Sequence, residues 1–258
     1  MASHRRAVPP FVHLAAHPLR WRLLTELSGG DYRVRELVTR VNEPQNLVSY
    51  HLRLLRDGGL VTTSRSSHDR RDSYYHLDLA RSAEMIAGAG TTLHPALGLE
   101  LAPRGFDLPS APAVLFVCTG NSARSVIAES LLRRRTGGRV EVFSAGTHPM
   151  PQTHADTVRV LRDEYDIDIA DRIPRPLDLL AGHRFDIVIT LCDKAREVCP
   201  DFGDGPRQVH WSIPDPAAPN TPGADAYPAF QATAAEIDTR IRYLLPTLTT
   251  LETACPAG

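Results

Sequence analysis

Lysine is nearly missing from this chain. Only Lys194 stands among 29 basic residues, a bias that fits GC-rich coding sequence. Long apolar runs are also missing. No stretch is long and apolar enough to span a bilayer, so no membrane role is expected. The opening MASHRRAV has no apolar core after its basic residues, so a signal peptide is not expected and a cytoplasmic location is. Cysteine is scarce: there are four, and none precedes Cys118. In a cytosolic chain that usage points to catalysis rather than structural bridges. No CxxC and no Cys/His cluster supports a zinc site, and no internal repeat is visible.

A length of 258 residues predicts two domains. Whole-chain neutrality hides an uneven charge distribution. Residues 1–85 hold 13 Arg against 9 acidic residues, a net of +4, while the remainder holds 16 basic against 21 acidic, a net of −5. Between the halves, 86–112 is rich in Gly, Ala and Pro, with Pro95, Pro103, Pro109 and Pro112. We expect a first domain at 1–88, a linker at 89–112 and a second domain at 113–258.

In the second domain, residues 114–125 read VLFVCTGNSARS. An apolar strand delivers Cys118 into a short polar loop, and a helical pattern follows from Val126. Five residues separate Cys118 from Arg124. So short a loop can curl until its backbone N–H groups face one centre, an anion nest. The following helix aims its positive end at the same point. Gly120 is expected to supply the freedom for the curl, and Arg124 adds a planar fork for two oxyanion oxygens. A field of that sign favours an anionic sulfur. The pattern predicts thiolate chemistry on a tetrahedral oxyanion held by Thr119, Gly120, Asn121, Ser122, Ala123, Arg124 and Ser125.

The loop resembles that of the low-molecular-weight protein tyrosine phosphatases, with Cys, five residues, Arg and Ser/Thr. The wording CTGNSARS is closer to a sister group on the same fold, the arsenate reductases coupled to a thiol relay. The resemblance runs from about Ala113 to Leu251 and includes SAGTHP at 144–149. It implies that Asn121 and Ser125 shape the loop by hydrogen bonding. Ala123 departs from many relatives, which carry a further cysteine there.

DIVITLCDKAREVCP (186–200) separates the two chemistries. A buried-strand pattern ends in Cys192, and Cys199 follows seven residues later. A phosphatase needs one cysteine, whereas a reductase must dispose of two oxidising equivalents, which two more thiols can do by exchange. The resemblance implies that Cys118 attacks arsenate, Cys192 attacks Cys118, and Cys199 carries the disulfide outward. The charged DKAREV between them is expected to be exposed and movable. In VHWSIPDPAAP (209–219), Asp215 matches the general-acid position of the reductases. Pro214 replaces an acidic residue often found before it. Cys255 reads as a solvent-exposed tail thiol. No bound cofactor is expected, only an external thiol reductant, thioredoxin or a mycothiol-type small thiol.

The first domain reads differently. HLAAHPLRWRLLTEL (13–27) carries a leucine stripe at helical spacing, with Pro18 suited to a first turn. VRELVTRV (34–41) repeats the spacing, and 42–61 gives a third helix that Gly58 and Gly59 stop. Two short strand-like runs joined by HDRRD follow. Helix, turn, helix and β-wing resemble the ArsR-type repressors, with SYHLRLLRDGGLV the nearest stretch. The docking geometry of such a motif puts Gln45, Asn46, Ser49, Tyr50 and Arg53 toward base edges in operator DNA. Arg65, Arg70 and Arg71 would meet phosphates. Repressors of this kind are homodimers, here through the first helix and one at about Leu79 to Ala89. Arsenic-responsive members capture arsenite by cysteines at a place that here reads DYRVREL (31–37), so this unit has no thiol for that task. None of its scattered histidines reads as a metal ligand, and His51 on the reading helix belongs to the fold.

The expected architecture is therefore a mainly α winged helix-turn-helix with a β-wing, followed by an α/β domain of the low-molecular-weight phosphatase kind. The second would carry four parallel strands, 113–117, 140–144, 187–191 and 208–211, with helices at 125–135, 153–165, about 175–182 and 227–251. The expected function is an arsenate reductase fused to a DNA-binding regulator. A phosphatase fused to a regulator, or a non-catalytic oxyanion- or redox-sensing repressor, are the alternatives.

Overall fold

A computed structural model of the chain describes residues 8–94, 97, 111–199, 205–218 and 225–248; Cys255 lies outside them. The chain divides into two compact units. One is formed by Met1–Arg65 and Arg71–Ala102, the other by Ser66–Arg70 and Pro103–Gly258.

The first unit begins with α1 (Pro10–Ala15) and α2 (Pro18–Leu27). They are two helices rather than one stripe, because the residue before a proline avoids the helical region. His17 is extended at ψ 127°, and its Nδ1 accepts the Leu19 N–H at 3.2 Å to cap α2. Leu14 therefore belongs to α1, while Leu19, Leu23, Leu24 and Leu27 turn α2 into the core. A two-residue strand, β1 (Tyr32–Arg33), precedes α3 (Val34–Val41). The Arg33 N–H donates to Glu36 at 2.7 Å, satisfying a donor at the start of α3.

Next comes α4 (Gln45–Asp57), which buries Val48, His51, Leu52 and Leu55. It ends at Gly58, and Gly59 takes the left-handed φ of 77° that stops a helix cleanly. The strands β2 (Val61–Arg65) and β3 (Ser73–Leu77) pair antiparallel, and β1 adds to β3. Capped by Asp78, α5 runs Leu79–Leu93, five residues into the stretch expected as linker. It stops at His94, extended ahead of Pro95.

The second unit is a four-stranded parallel sheet in the order β5-β4-β6-β7. Its strands are β4 (Ala113–Cys118), β5 (Glu141–Gly146), β6 (Ile187–Thr190) and β7 (Arg207–His210). Every residue of β4 and β6 is buried, as central strands covered on both faces require. The helices are α6 (Arg124–Thr136), α7 (Ala155–Tyr165), α8 (Asp193–Val198) and α9 (Tyr227–Leu248). The expected helix near 175–182 is a short 3-10 turn at Leu177–Leu180, and α8 stands where the sequence pattern gave only a charged connection. The strand order reverses direction at β4, between β5 on one side and β6 on the other. Such a reversal opens a crevice at the carboxyl ends of β4 and β6.

Candidate active site and nucleic-acid interface

Cys118 ends β4 and Cys192 follows β6, so the topology brings both thiols to that crevice. Val117 and Thr190 are register partners, which sets Cys118 beside the start of the Leu191–Cys192 turn. Both sulfurs belong to buried residues. Thr119 Oγ1 lies 3.3 Å from Cys192 Sγ, linking the loop to the second thiol directly.

The loop from 119 to 123 is shaped from outside by the segment after β5. The N–H groups of Thr147, His148, Met150 and His154 donate to the carbonyls of Cys118, Thr119, Gly120 and Ser122 at 2.8–3.1 Å. A trans peptide sets C=O and N–H antiparallel. Turning those carbonyls outward therefore turns the amides that follow them inward. The Asn121 N–H accordingly donates to Cys118 Sγ at 3.2 Å. Gly146 makes this close approach possible. A Cβ there would stand 2.7 Å from the Thr119 carbonyl oxygen and 3.0 Å from the Asn121 nitrogen.

One expectation is corrected here. The left-handed residue of the loop is Asn121, φ 46°, and not Gly120. Asparagine tolerates that region when its short amide is tied locally. The tie is complete: Asn121 Nδ2 donates to Ser125 Oγ at 2.9 Å and to Ser144 Oγ at 2.8 Å, and Oδ1 accepts the Arg175 N–H at 2.7 Å. Because Ser125 Oγ accepts from Asn121, its own proton is free to point at Cys118 Sγ, 3.0 Å away.

Arg124 opens α6 and is buried. Its Nη1 donates to the Ile213 carbonyl at 3.1 Å, and its Nη2 lies 3.2 Å from Asp215 Oδ2. The loop after β7 is thereby brought to the guanidinium. The Asp215 carboxyl is 44% exposed, open enough to exchange protons with water. Arg124 Nε is buried with no hydrogen-bond partner among the described residues.

Cys192 is the residue before α8, and Cys199 the residue after it. Burial pushes the Cys192 thiol up, partly offset by the Arg124 charge. Burial and then Cys192 push Cys199, half-buried against the core, up to about 11. The start of α8 is anchored. Asp193 Oδ1 accepts from Ser212 Oγ at 2.8 Å and sits 3.0 Å from His210 Nε2. Burial opposes ionisation of Asp193, but its hydrogen bonds outweigh that and hold it at about 2. Among the described residues no group of three or more His, Cys, Asp or Glu is placed to hold a metal ion. Nor does any described helix have the length and apolarity to cross a membrane.

In the first unit, Gln45, Asn46, Ser49, Tyr50 and Arg53 all lie on the exposed face of α4. The Arg53 guanidinium sits 5.9 Å over the Tyr50 ring. Arg65 closes β2 and Arg71 lies just before β3, while Arg70 ends the short segment that groups with the second unit; all three are exposed. His51 is buried, with its ring 4.3 Å from that of His17. Burial, then His17 and Arg20, lower its pKa, as a histidine belonging to the core requires.

Residues 113–254 match the family described as low molecular weight phosphotyrosine protein phosphatase, and 17–63 match the bacterial regulatory protein, arsR family. An arsenate reductase of Brevibacillus brevis is 35% identical over 129 residues, which span 50% of this chain and 90% of the relative. One from Halalkalibacterium halodurans is 32% identical over 129 residues, 50% of this chain and 91% of its own. Among solved structures, a thioredoxin-dependent arsenate reductase of Corynebacterium glutamicum is 25% identical, covering 88% of this chain and 97% of its own at a TM-score of 0.44.

Proposed function

The chain belongs to the low molecular weight phosphotyrosine protein phosphatase family, and from that footing we propose that it reduces arsenate to arsenite by a cysteine relay and is fused to a DNA-binding regulator of arsenic resistance. The observation that carries this reading is the pairing of Cys192 with the oxyanion loop through Thr119. Hydrolysis of a phosphate ester has no use for that second thiol.

In the first step the Cys118 thiolate attacks arsenic. Inward amides of Thr119, Gly120, Asn121 and Ala123, the N-terminus of α6 and Arg124 take up the oxyanion charge. Asp215 protonates the departing oxygen, which leaves as water. In the second step the Cys192 thiolate attacks Cys118 Sγ. The sulfur–arsenic bond breaks with its electron pair going to arsenic, so As(V) leaves as As(III) in arsenite. The Cys118–Cys192 disulfide holds the two oxidising equivalents. In the third step the Cys199 thiolate attacks Cys192 and frees Cys118. An external dithiol or small thiol, thioredoxin or a mycothiol-type donor, then reduces Cys192–Cys199 and is itself oxidised.

The third step requires motion. Seven residues of helix carry a chain about 10 Å, while a disulfide needs Cα atoms about 4.4–6.8 Å apart. Cys192 and Cys199 can join only if α8 unwinds. A helix of six residues with two buried side chains has little to hold it.

For the first unit we propose an operator-binding winged helix with α4 in the major groove and the β2–β3 hairpin on phosphates. It pairs as a homodimer through α1 and α5, supported by exposed Val12, Ile86 and Leu93 on those helices. The first domain, expected at 1–88, is extended to the end of α5 at Leu93, and the second, 113–258, follows a linker. The reading is tested by arsenite production from arsenate with a thiol donor. Release over many turnovers supports it; hydrolysis of an aryl phosphate with no arsenite formed would replace it with a phosphatase.

A further inference from the structure

Behind the reactive loop lies a charged cluster that the relay leaves unused. Glu129, on α6, is only 3% exposed, and its carboxylate faces three guanidinium groups. Arg133 Nη2 lies 2.9 Å from Oε1, Arg175 Nη2 lies 3.2 Å from both oxygens, and Arg172 Nη1 lies 3.1 Å from Oε1 while its Nη2 contacts Oε2. Three cations on one buried carboxylate leave an excess of positive charge, which water screens most at Arg133, 57% exposed, and least at Arg172, 21% exposed.

Ser144, on β5, couples the cluster to the loop. It donates to Glu129 Oε2 at 2.7 Å and accepts from Arg172 Nη2 at 3.0 Å and from Asn121 Nδ2 at 2.8 Å. Arg175 adds a second link through its own N–H, which holds Asn121 Oδ1. Both ends of the Asn121 amide are thus fixed by groups that Glu129 orders. Asn121 is the left-handed residue whose N–H meets Cys118 Sγ. A shift of its amide would release the strained backbone and unmake the inward nest.

We propose that Glu129, Arg172 and Arg175 are positioning residues for the oxyanion loop, acting through Ser144 and Asn121. Their hydrogen bonds run to one another, to Ser144 and to Asn121. They lock the left-handed turn and hold surplus positive charge behind it. The inference rests on the loop being an oxyanion site, as proposed above.

The test uses the full chain with inorganic phosphate as probe, titrated by calorimetry at constant ionic strength, so that no arsenate chemistry enters the readout. Arg172→Ala should weaken phosphate binding about tenfold or more, as loss of a member from a coupled buried network does. Arg172→Lys should recover part of it. Millimolar guanidinium chloride, against sodium chloride as control, should restore binding in Arg172→Ala. Ser144→Ala, a small change that keeps the ion pairs, should lose a similar factor with no response to guanidinium. Wild-type affinity in Arg172→Ala or in Ser144→Ala would overturn the proposal. So would a loss in Arg172→Ala that neither lysine nor guanidinium repairs, since that is the signature of a merely structural residue. A wild-type chain that binds no phosphate at all would instead remove the oxyanion site, and the inference with it.

Discussion

Thr119 Oγ1 and Cys192 Sγ lie 3.3 Å apart, so the residue next to Cys118 also touches the second thiol of the proposed relay. The second step then needs little search. Replacing Thr119 with Val keeps the shape and removes the bond. Release of arsenite in the first turnover should slow about two- to tenfold, the size of one neutral hydrogen bond. Phosphate affinity should change little. Rapid-quench measurement of the first turnover reads this, and an unchanged rate would mean the bond is incidental.

Gly146 admits the loop to its place. A methyl group there meets the Thr119 carbonyl oxygen at 2.7 Å, and backbone cannot swing aside. Gly146→Ala should displace the loop and lower kcat/KM about a hundredfold, the usual consequence of an ångström of misplacement at a reacting centre. Tm should fall by much less than an inactive, unfolded protein would require. Near wild-type turnover in the alanine variant would show that the loop can sit elsewhere.

The acidity of Cys199 gives the relay a pH signature. Burial and the neighbouring Cys192 raise its pKa from the ordinary 9.0 to about 11 while α8 is closed. A raised acid pKa means the closed form holds the proton, so the contribution of Cys199 to closure is fully present below pH 9 and is lost as pH rises from 9 to 11. Opening restores the ordinary value and supplies more thiolate at the moment the sulfurs approach. Starting from the Cys118–Cys192 disulfide, where the Cys192 charge is gone and burial alone raises the Cys199 thiol, formation of Cys192–Cys199 should accelerate with pH between 7 and 9 as the thiolate fraction grows. Acid quenching and mass spectrometry measure it. A flat profile would place the limiting event before thiolate attack.

On the first unit, Asn46→Ala should cost about 1–3 kcal/mol of operator discrimination, because an exposed amide at the start of α4 is suited to adenine. Arg71→Ala should weaken binding to all sequences alike and reduce the salt slope by about one. Titration of specific and random duplexes at several salt concentrations separates the two. Equal behaviour of the two variants would contradict the assignment of helix to bases and hairpin to phosphates.

What the sequence disclosed, it disclosed through local periodicity. The apolar run into Cys118, the five-residue gap to Arg124 and the helix after it are all short-range signals, and β4, the loop and α6 lie where they indicate. The alternation of buried and exposed positions on α4 likewise follows from helical spacing. Other features have no such signal. Only Asp193 and Ala195 of α8 are buried, so no apolar stripe marks it as a helix. β1 is two residues long and exists only because β3 offers it an edge. Glu129 and its partners Arg172 and Arg175 are polar residues 43 and 46 positions apart, joined by the fold alone. The left-handed turn fell to Asn121 instead of Gly120 because Ser125, Ser144 and Arg175 grip its amide, a fact of tertiary structure.

The relay itself is tested most directly by supplying arsenate to wild type and to Cys118→Ser, Cys192→Ser and Cys199→Ser, counting arsenite per enzyme and mapping the trapped disulfide. The account predicts many turnovers for wild type and none for Cys118→Ser. It predicts an arsenylated or idle enzyme without arsenite release for Cys192→Ser, and one turnover ending in a Cys118–Cys192 disulfide for Cys199→Ser. Sustained arsenite production by Cys192→Ser at the wild-type rate would contradict it.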